Sequence, residues 1–494
     1  MSDFNQWSTS IPLLAGGMPP WASQADQWRI GSYMLYEQIY WTMPTAFRVV
    51  LRGDTQAVYV PTGRQIVETM HRYLAPGLTV TPDPLVGTVA DQQALYMVWE
   101  VLRRKERFYS KFSSAKRYGL IRGDMLFQIE ADPDLPPGSR ITIKEIDPGM
   151  YFPIQSEADP DIRIGARLAW QFLDEQGQAF VQTLTYRKVS ETSGPSPITM
   201  EETLQKPEDW PDGKVERTIQ PAFELPAVIQ TIPIYHFPNF TETGSIWGSS
   251  EMRGIERLMT SINQNISDED VTLVLNGLGV YTTDAGSPID PNTGDTTDWV
   301  VGPAKVLELP PETSFNRVTG VSSVAPYQDH LGYIHEQIDQ TFGMSAIAKA
   351  KVDVNVAESG VALALELAPL ITRAEEKELT ITDVLNNFLY DIRSWLNAYE
   401  GTPLFEATLV PVYASKIPPN RKERFNEIMQ MFGAQLVSAQ WCWDELEQIG
   451  YTFPEHTQMM DQIMTETQLR EDVTGARIDQ EVAGGTTTGT GGQG

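Results

Sequence analysis

The sequence predicts an α+β chain: a helical block, an antiparallel sheet region, then helices to the end. Three observations carry this. Apolar residues recur at helical spacing between residues 26 and 112, alternate with polar ones from Gly123 to about Val189, and return to helical spacing after Gly248. At 494 residues the chain exceeds the size at which a single core keeps growing, so two to four structural units are expected.

Residues 1–30 hold Trp7, Trp21 and Trp28 among prolines and glycines, and read either as an arm that packs on a neighbour or as a flexible lead. The stretch "YVPTGRQIVETMHRYL" starts a helix at a proline-threonine turn and places Ile66, Met70 and Leu74 at four-residue spacing. A second helix, residues 91–112, carries Leu95, Val98, Trp99 and Leu102 on one side. "GDMLFQIEAD", "RITIKEIDPGMYFPI" and "IRIGARLAWQF" then follow a period of two, and "DEQGQ" supplies a hairpin turn before "QAFVQTLTYRKV". "ELPAVIQTIPIYHFPNF" leaves through prolines, which suit edge strands and turns.

A helix over 249–278 carries the stripe Met252, Ile255, Met259, Ile262 and Ile266, and stops at Asn276-Gly277. Residues 279–325 are turn-rich, with six acids against Lys305 and Arg317. A helix over 326–343 follows, with Tyr327, Leu331, Ile334 and Ile338 on its face. The loop 344–360 contains Lys349 and Lys351, and a long helical pattern over 361–417 is interrupted by Pro369, which removes a backbone donor and kinks a helix. Residues 418–482 are helical and acidic, twelve acids against five bases, and 483–494 form a low-complexity tail without core-building side chains.

Charge and motifs exclude several classes. With 65 acidic and 37 basic residues the net charge is −28, so most of the surface repels a phosphate backbone and a conventional DNA-gripping enzyme is not expected. Cys442 is the single cysteine, which rules out an intrachain disulfide and a cysteine-based zinc cluster. No secretory leader pattern and no run of eighteen apolar residues occur, so a chain made in the cytoplasm without a membrane span is expected. Gly213-Lys214 lacks the rest of a phosphate loop, "TETGSIWGSS" has the wrong spacing for a nucleophile elbow, and His330 and His335 lie five apart rather than four. Asp132/Asp134 and Asp159/Asp161 flank prolines and read as turn residues; a hydrolase built on such carboxylates is the rival class. No catalytic residue, metal or cofactor is expected.

The densest basic run, "RRKERFYSKFSSAKR", interleaves seven cations with Phe108, Tyr109 and Phe112. Such a run can hold phosphates; in so acidic a chain the favoured reading pairs Arg103, Arg104, Lys105 and Arg107 with acids of a neighbouring subunit. The apolar stripe around Ile255, Met259 and Ile262 is expected to be buried between copies in the same way. Asp284, Asp290, Asp295 and Asp298 do not match a helix-loop-helix calcium site and read as a solvated face that suits basic partners.

The order of parts, with "RYGLIRGDMLFQIEAD", "IPIYHFPNFTETGSIWGSSEMRGIERLMTSINQNISD" and "FGMSAIAKAKVDVNVAESGVALALELAPLI", resembles the portal proteins of tailed bacteriophages over roughly residues 30–480. The resemblance implies a non-enzymatic homo-oligomer, usually of twelve copies, at one capsid vertex of the virion, assembled in the host cytoplasm. It would conduct double-stranded DNA without sequence preference and meet the terminase large subunit, capsid and scaffolding protein, and a head-tail adaptor. Residues 31–248 would then be the wing, 249–278 and 326–343 the stem, 279–325 the clip, 344–360 the tunnel loop, 361–417 the long wing helix and its return, and 418–482 the crown. Asp284, Asp290, Asp295, Asp298 and Lys305 would lie in the docking clip. Lys349, Lys351 and Asn355 would face the channel, where two lysines give weak phosphate contacts while the acidic remainder prevents sticking. The plainer reading is an ordinary solvated loop. Another structural component of a phage head is the nearest alternative.

Overall fold

The computed structural model describes residues 19–50, 56–159, 162–190, 196–241, 244–278, 280–290, 292–299, 311–318, 324–344, 360–416, 421–448, 459 and 462–465. Two compact units are distinguished, 1–356 with 365–414, and 357–364 with 415–494.

In the first unit, helix α1 (Gln24–Tyr40) starts where the Ser23 side chain accepts the Asp26 amide at 3.1 Å, with Asp26 itself favourably placed in the first turn. Helix α2 (Thr62–Tyr73) buries Ile66, Val67 and Met70, as its spacing predicts. After strand β1 (Thr79–Pro82), the helix expected over 91–112 is two helices, α3 (Val89–Glu106) and α4 (Phe108–Arg122). The break is Arg107, whose φ of +51° is left-handed, at a cost of roughly 1–2 kcal/mol for a non-glycine residue. Turning the chain there drives Phe108 into the core. Its ring stacks on Phe388 at 5.5 Å and lies 6.0 Å from Phe127, and Tyr235 meets Phe388 edge-on at 5.1 Å.

The alternating region folds as two antiparallel sheets. Strands β2 (Asp124–Ala131), β3 (Ile141–Ile146) and β9 (Ile234–Pro238) form one, in the order β3-β2-β9, so the proline-flanked β9 is an edge strand. Strands β4 (Tyr151–Gln155), β5 (Arg163–Leu173), β6 (Ala179–Lys188), β7 (Ile198–Gln205) and β8 (Val215–Glu224) form a meander in chain order. The β5–β6 turn is the anticipated one: Asp174 Oδ1 accepts the amides of Gln176 and Gln178 at 2.9 and 2.7 Å. Strands β7 and β8 were not foreseen: the Thr- and Glu-rich β7 carries little alternation, β8 is exposed along nearly its whole length, and their pairing slips three times.

Gly123 ends α4 at φ +109°, and a Cβ there would sit 2.6 Å from the Gly248 carbonyl oxygen. The crossing of these two chain segments admits only glycine. Helix α5 (Glu256–Leu278) begins seven residues later than the sequence predicts, since Glu251–Gly254 form turns and Gly254 has φ +93°. Strands β10 (Val280–Thr283) and β11 (Phe315–Val318) pair antiparallel and close the insertion, and α6 (Ala325–Phe342) returns with Ile334, Ile338 and Phe342 buried. Helix α7 (Gly360–Trp395) runs 36 residues with Pro369 inside it. Gly343, at φ +62°, faces Pro369 so closely that a Cβ would lie 2.9 Å from the proline Cβ. Strand β12 (Leu409–Val412) pairs with β1.

In the second unit, helices α8 (Arg421–Gly433) and α9 (Ala439–Gln448) share a small core of Ile428, Cys442 and Leu446, with Arg424 bridging to Glu445 at 2.8 Å. The Cys442 thiol is buried, which pushes its pKa up. Residues 1–18, the loop 345–359 and the tail 466–494 lie outside the described residues.

Candidate functional site

The α5–α6 helix pair carries the turn-rich insertion, and it is held to the rest of the first unit at its root. Its root is therefore the candidate functional joint. One side of α5 is polar where a packed helix would be apolar: Asn263 and Ser267 are buried, and Gln264 is half-buried. Their partners are the backbone groups of Val50, Val58 and Val60. Gln264 accepts the Val50 amide at 2.7 Å and donates to the Val50 carbonyl at 3.0 Å, Asn263 Oδ1 accepts the Val60 amide at 2.9 Å, and Ser267 Oγ accepts the Val58 amide at 3.0 Å. Helix side chains thus take the place of a β-ladder and satisfy backbone groups that would otherwise be left unpaired.

The second element of the joint is a buried charge cluster on α7. Glu251, in the turn before α5, is fully buried and contacts the Lys377 ammonium, the Arg373 Nε at 2.9 Å and the Asn239 amide at 3.4 Å. Lys377 also donates to Asn239 Oδ1 at 3.0 Å. Burial alone would raise the Glu251 pKa, but Lys377 and Arg373 outweigh it and hold the carboxyl below its ordinary range. Burial pulls the Lys377 ammonium down, and Glu251 offsets part of that. Arg373 reaches further, to the Thr341 carbonyl at 3.3 Å, with its guanidinium 4.9 Å from the Phe342 ring. Two residues one turn apart on α7 therefore hold both the entrance to α5 and the exit of α6. Across the pair itself, Gln328 donates to Glu269 at 3.0 Å.

Another polar centre lies at β2. Asp124 is fully buried and accepts from Tyr33 at 2.6 Å, His236 at 2.6 Å and the Gly248 amide at 2.8 Å. Three donors on one carboxylate fix the chain crossing at Gly248. A cavity of about 570 Å³ adjoins this centre, lined by Arg163, Tyr235, His236 and Asp391. The Asp391 carboxyl accepts the hydroxyls of Thr231 and Tyr235 at 2.6 and 2.8 Å, and its pKa is raised by burial.

The structure reassigns several of the sequence candidates. Ile255, Met259 and Ile262 are at most 2% exposed within this one chain, so the expectation that copies bury them between each other is corrected: the chain's own residues already cover them. Gly63 of α2 approaches so closely that a Cβ there would meet Met252 Sδ at 2.6 Å. The basic run largely finds partners at home. Arg103 and Arg104 both pair with Glu100 of their own helix, the latter at 3.2 Å, and Lys105 donates to the Ser139 and Ile141 carbonyls, each at 2.7 Å. Lys111 bridges to Glu106 at 3.0 Å, and Arg117 to Glu68 at 2.9 Å. Arg104, Lys105 and Arg107 remain exposed.

The aspartates of the insertion sit in turns. Asp284 Oδ1 accepts the Ser314 amide at 2.5 Å, which lowers its pKa, and Asp290 accepts the Asn292 amide at 2.8 Å. Asp295 and Asp298 are exposed near them. Asp132 likewise accepts the Asp134 amide at 3.0 Å, a turn role rather than a catalytic one. Lys305, Lys349, Lys351 and Asn355 lie outside the described residues. Among the described residues no His, Cys, Asp and Glu side chains converge as a metal site, and no helix is long and apolar enough to cross a membrane.

The joint was not legible beforehand. Glu251 and Lys377 are 126 positions apart, and only the polar run "SINQN" inside an apolar stripe hinted that α5 serves a backbone partner.

No family model matches the chain, and no curated protein does. Among solved structures, it is similar to a chain from the virion of a native gene transfer agent particle, at 13% identity and TM-score 0.44, over 89% of this chain and 98% of that one. It is also similar to a chain from the neck of a native gene transfer agent particle computed with C12 symmetry, at 12% identity and TM-score 0.40, over 81% and 97% respectively.

Proposed function

We propose that the chain is the portal subunit of a phage-type particle: a non-enzymatic, ring-forming protein at one capsid vertex that conducts DNA during packaging and ejection. The observation that carries this reading is the order of elements around the joint. A helix leads into an insertion closed by the β10–β11 pair, a second helix returns along the first, and a 36-residue helix then anchors both. A projecting helix pair with a small tip, held at its root by the body of the chain, suits a wall that lines a passage and a tip that meets other proteins.

Charge supports the same reading. The α5 and α6 helices carry seven acids and a single Arg257, so a ring of such pairs would present a wall that a duplex does not stick to. In this reading the tip, with Asp284, Asp290, Asp295, Asp298 and Lys305, docks the terminase motor and later the head-tail adaptor. The loop with Lys349, Lys351 and Asn355 supplies weak, sequence-blind contacts. The test is native mass spectrometry of the purified chain with negative-stain images of the same sample. Rings of about twelve 55.3 kDa subunits with a central hole are expected. A chain that stays monomeric at high concentration, with and without a scaffolding protein, would overturn the reading.

A further inference from the structure

Helix α3 presents an unusual outer face. Opposite the buried Leu95, Trp99 and Leu102, its exposed positions from Val89 to Val101 carry no charge: Ala90, Ala94, Met97 and Val101 lie along one stripe, with Met97 70% exposed and Val101 62% exposed. Leu85, just before the helix, is 91% exposed. A water-facing helix side normally bears charged residues, and a contiguous apolar one marks a contact surface. The stripe ends at the exposed cations Arg104 and Arg107.

Helix α7 offers the complement. Its exposed positions repeat at sevens in two adjacent rows, Leu365, Thr372, Leu379 and Asn386 in one, Glu376, Asp383 and Tyr390 in the other. Leu365 and Leu379 are each about 70% exposed. Ala90, Met97 and Arg104 of α3 follow the same spacing. Two helices that share a seven-residue period can lie along one another over several turns, with side chains interleaved. One face is apolar with a basic end; the other sets Leu365, Leu379 and Tyr390 among polar and acidic residues.

We infer that the outer face of α3 docks antiparallel on the outer face of α7 of a second copy of this chain, with Met97 and Val101 against the Leu379 region and the basic end at Arg104 and Arg107 toward Glu376. The two faces differ, so the contact is head-to-tail: each copy offers one face to each neighbour, and repetition gives a closed ring or an open filament. The inference deepens the ring reading above and rests on it. It assigns the subunit contact to exposed helix faces in place of the buried stripe at Ile255, Met259 and Ile262.

The test uses two full-length variants, Met97→Asp and Leu379→Asp, each blocking one face. Both positions are exposed, and an unchanged thermal melt checks that the fold is kept. Each variant alone is expected to sediment as a monomer under conditions where the wild-type chain forms rings. Mixed one to one, they are expected to give dimers and nothing larger, because the intact α3 face of one meets the intact α7 face of the other. Rings from Met97→Asp alone would overturn the assigned surface while leaving the ring reading in place, as would a mixture that stays monomeric. A wild-type chain that never assembles would remove both. A second pair guards against misfolding: Arg104→Glu and Glu376→Arg are each expected to weaken assembly at least tenfold in concentration, and their combination in one chain to restore it. Failure of the combination to recover, with each single variant folded, would count against the paired charges.

Discussion

Glu251 shows how much one residue can be asked to hold. It is buried with Lys377 and Asn239, and the partly exposed Arg373 is its second cation, so removing Lys377 leaves an interior carboxylate that is only partly compensated, at a cost of up to about 3–5 kcal/mol. Lys377→Met is therefore expected to lower the unfolding free energy by that amount in urea denaturation, and Lys377→Met with Glu251→Leu to recover much of it. A single variant as stable as the wild type would mean that Arg373 alone compensates the Glu251 carboxylate. Glu145 makes a pH prediction. Burial pushes its carboxyl up to about 7, with Arg122 opposing and Asp147 adding to the rise. A folded-state pKa above the unfolded value near 4.3 means that the native state binds the proton more tightly. The associated stability is complete below about pH 4.3 and is lost as pH rises through 7. Relative to Glu145→Gln, which cannot titrate, the wild type should lose on the order of 1–3 kcal/mol between pH 4.3 and 7.5, read as a difference in urea midpoints. Parallel pH profiles would show that the carboxyl titrates normally.

At the scale of elements, helix α5 is held by side chains that do a strand's work. Asn263→Ala leaves the half-buried Val60 amide without its acceptor, and about 1 kcal/mol of stability should go with it. Hydrogen exchange should speed at Val60, and to a smaller degree at Val58, while amides of β5 and β6 keep their protection. Much at this scale could be read from the sequence: the helices at 62–73 and 325–342, the hairpin at Asp174–Gln178, and the position of β9 as an edge all follow from periodicity and turn chemistry. What could not be read has physical causes. Arg107 is a helix residue by propensity, and only the packing of Phe108 on Phe388 explains why it turns left-handed. Strand β8 is exposed along nearly its whole length, so no buried face imprinted a period of two. Met252 and Ile255 kept the helical spacing but precede the helix, because Gly254 takes a conformation that ends one turn and starts another. Pairings across more than a hundred residues, such as Glu251 with Lys377, leave no local trace at all.

At the scale of the whole molecule, the division between body and tip is itself testable. Thr283 and Phe315 are cross-strand partners at the outer end of the β10–β11 pair, so their backbones stand about 5 Å apart. A two-residue Asn-Gly turn can span that gap, which permits replacement of 284–314 without moving β10, β11, α5 or α6. The hydrogen bonds at Asn263, Gln264 and Ser267, the Glu251 cluster and the outer faces of α3 and α7 all lie outside the deleted stretch. The shortened chain is therefore expected to melt within a few degrees of the wild type and to assemble into rings of the same subunit number. It should also fail to bind the packaging motor, since the acids and Lys305 assigned to docking are gone. Sedimentation velocity and a pull-down with the cognate motor subunit read the two properties separately. A shortened chain that assembles and still binds the motor would move docking to another surface. One that no longer assembles would make the insertion part of the ring contact, and the faces on α3 and α7 would then be insufficient by themselves.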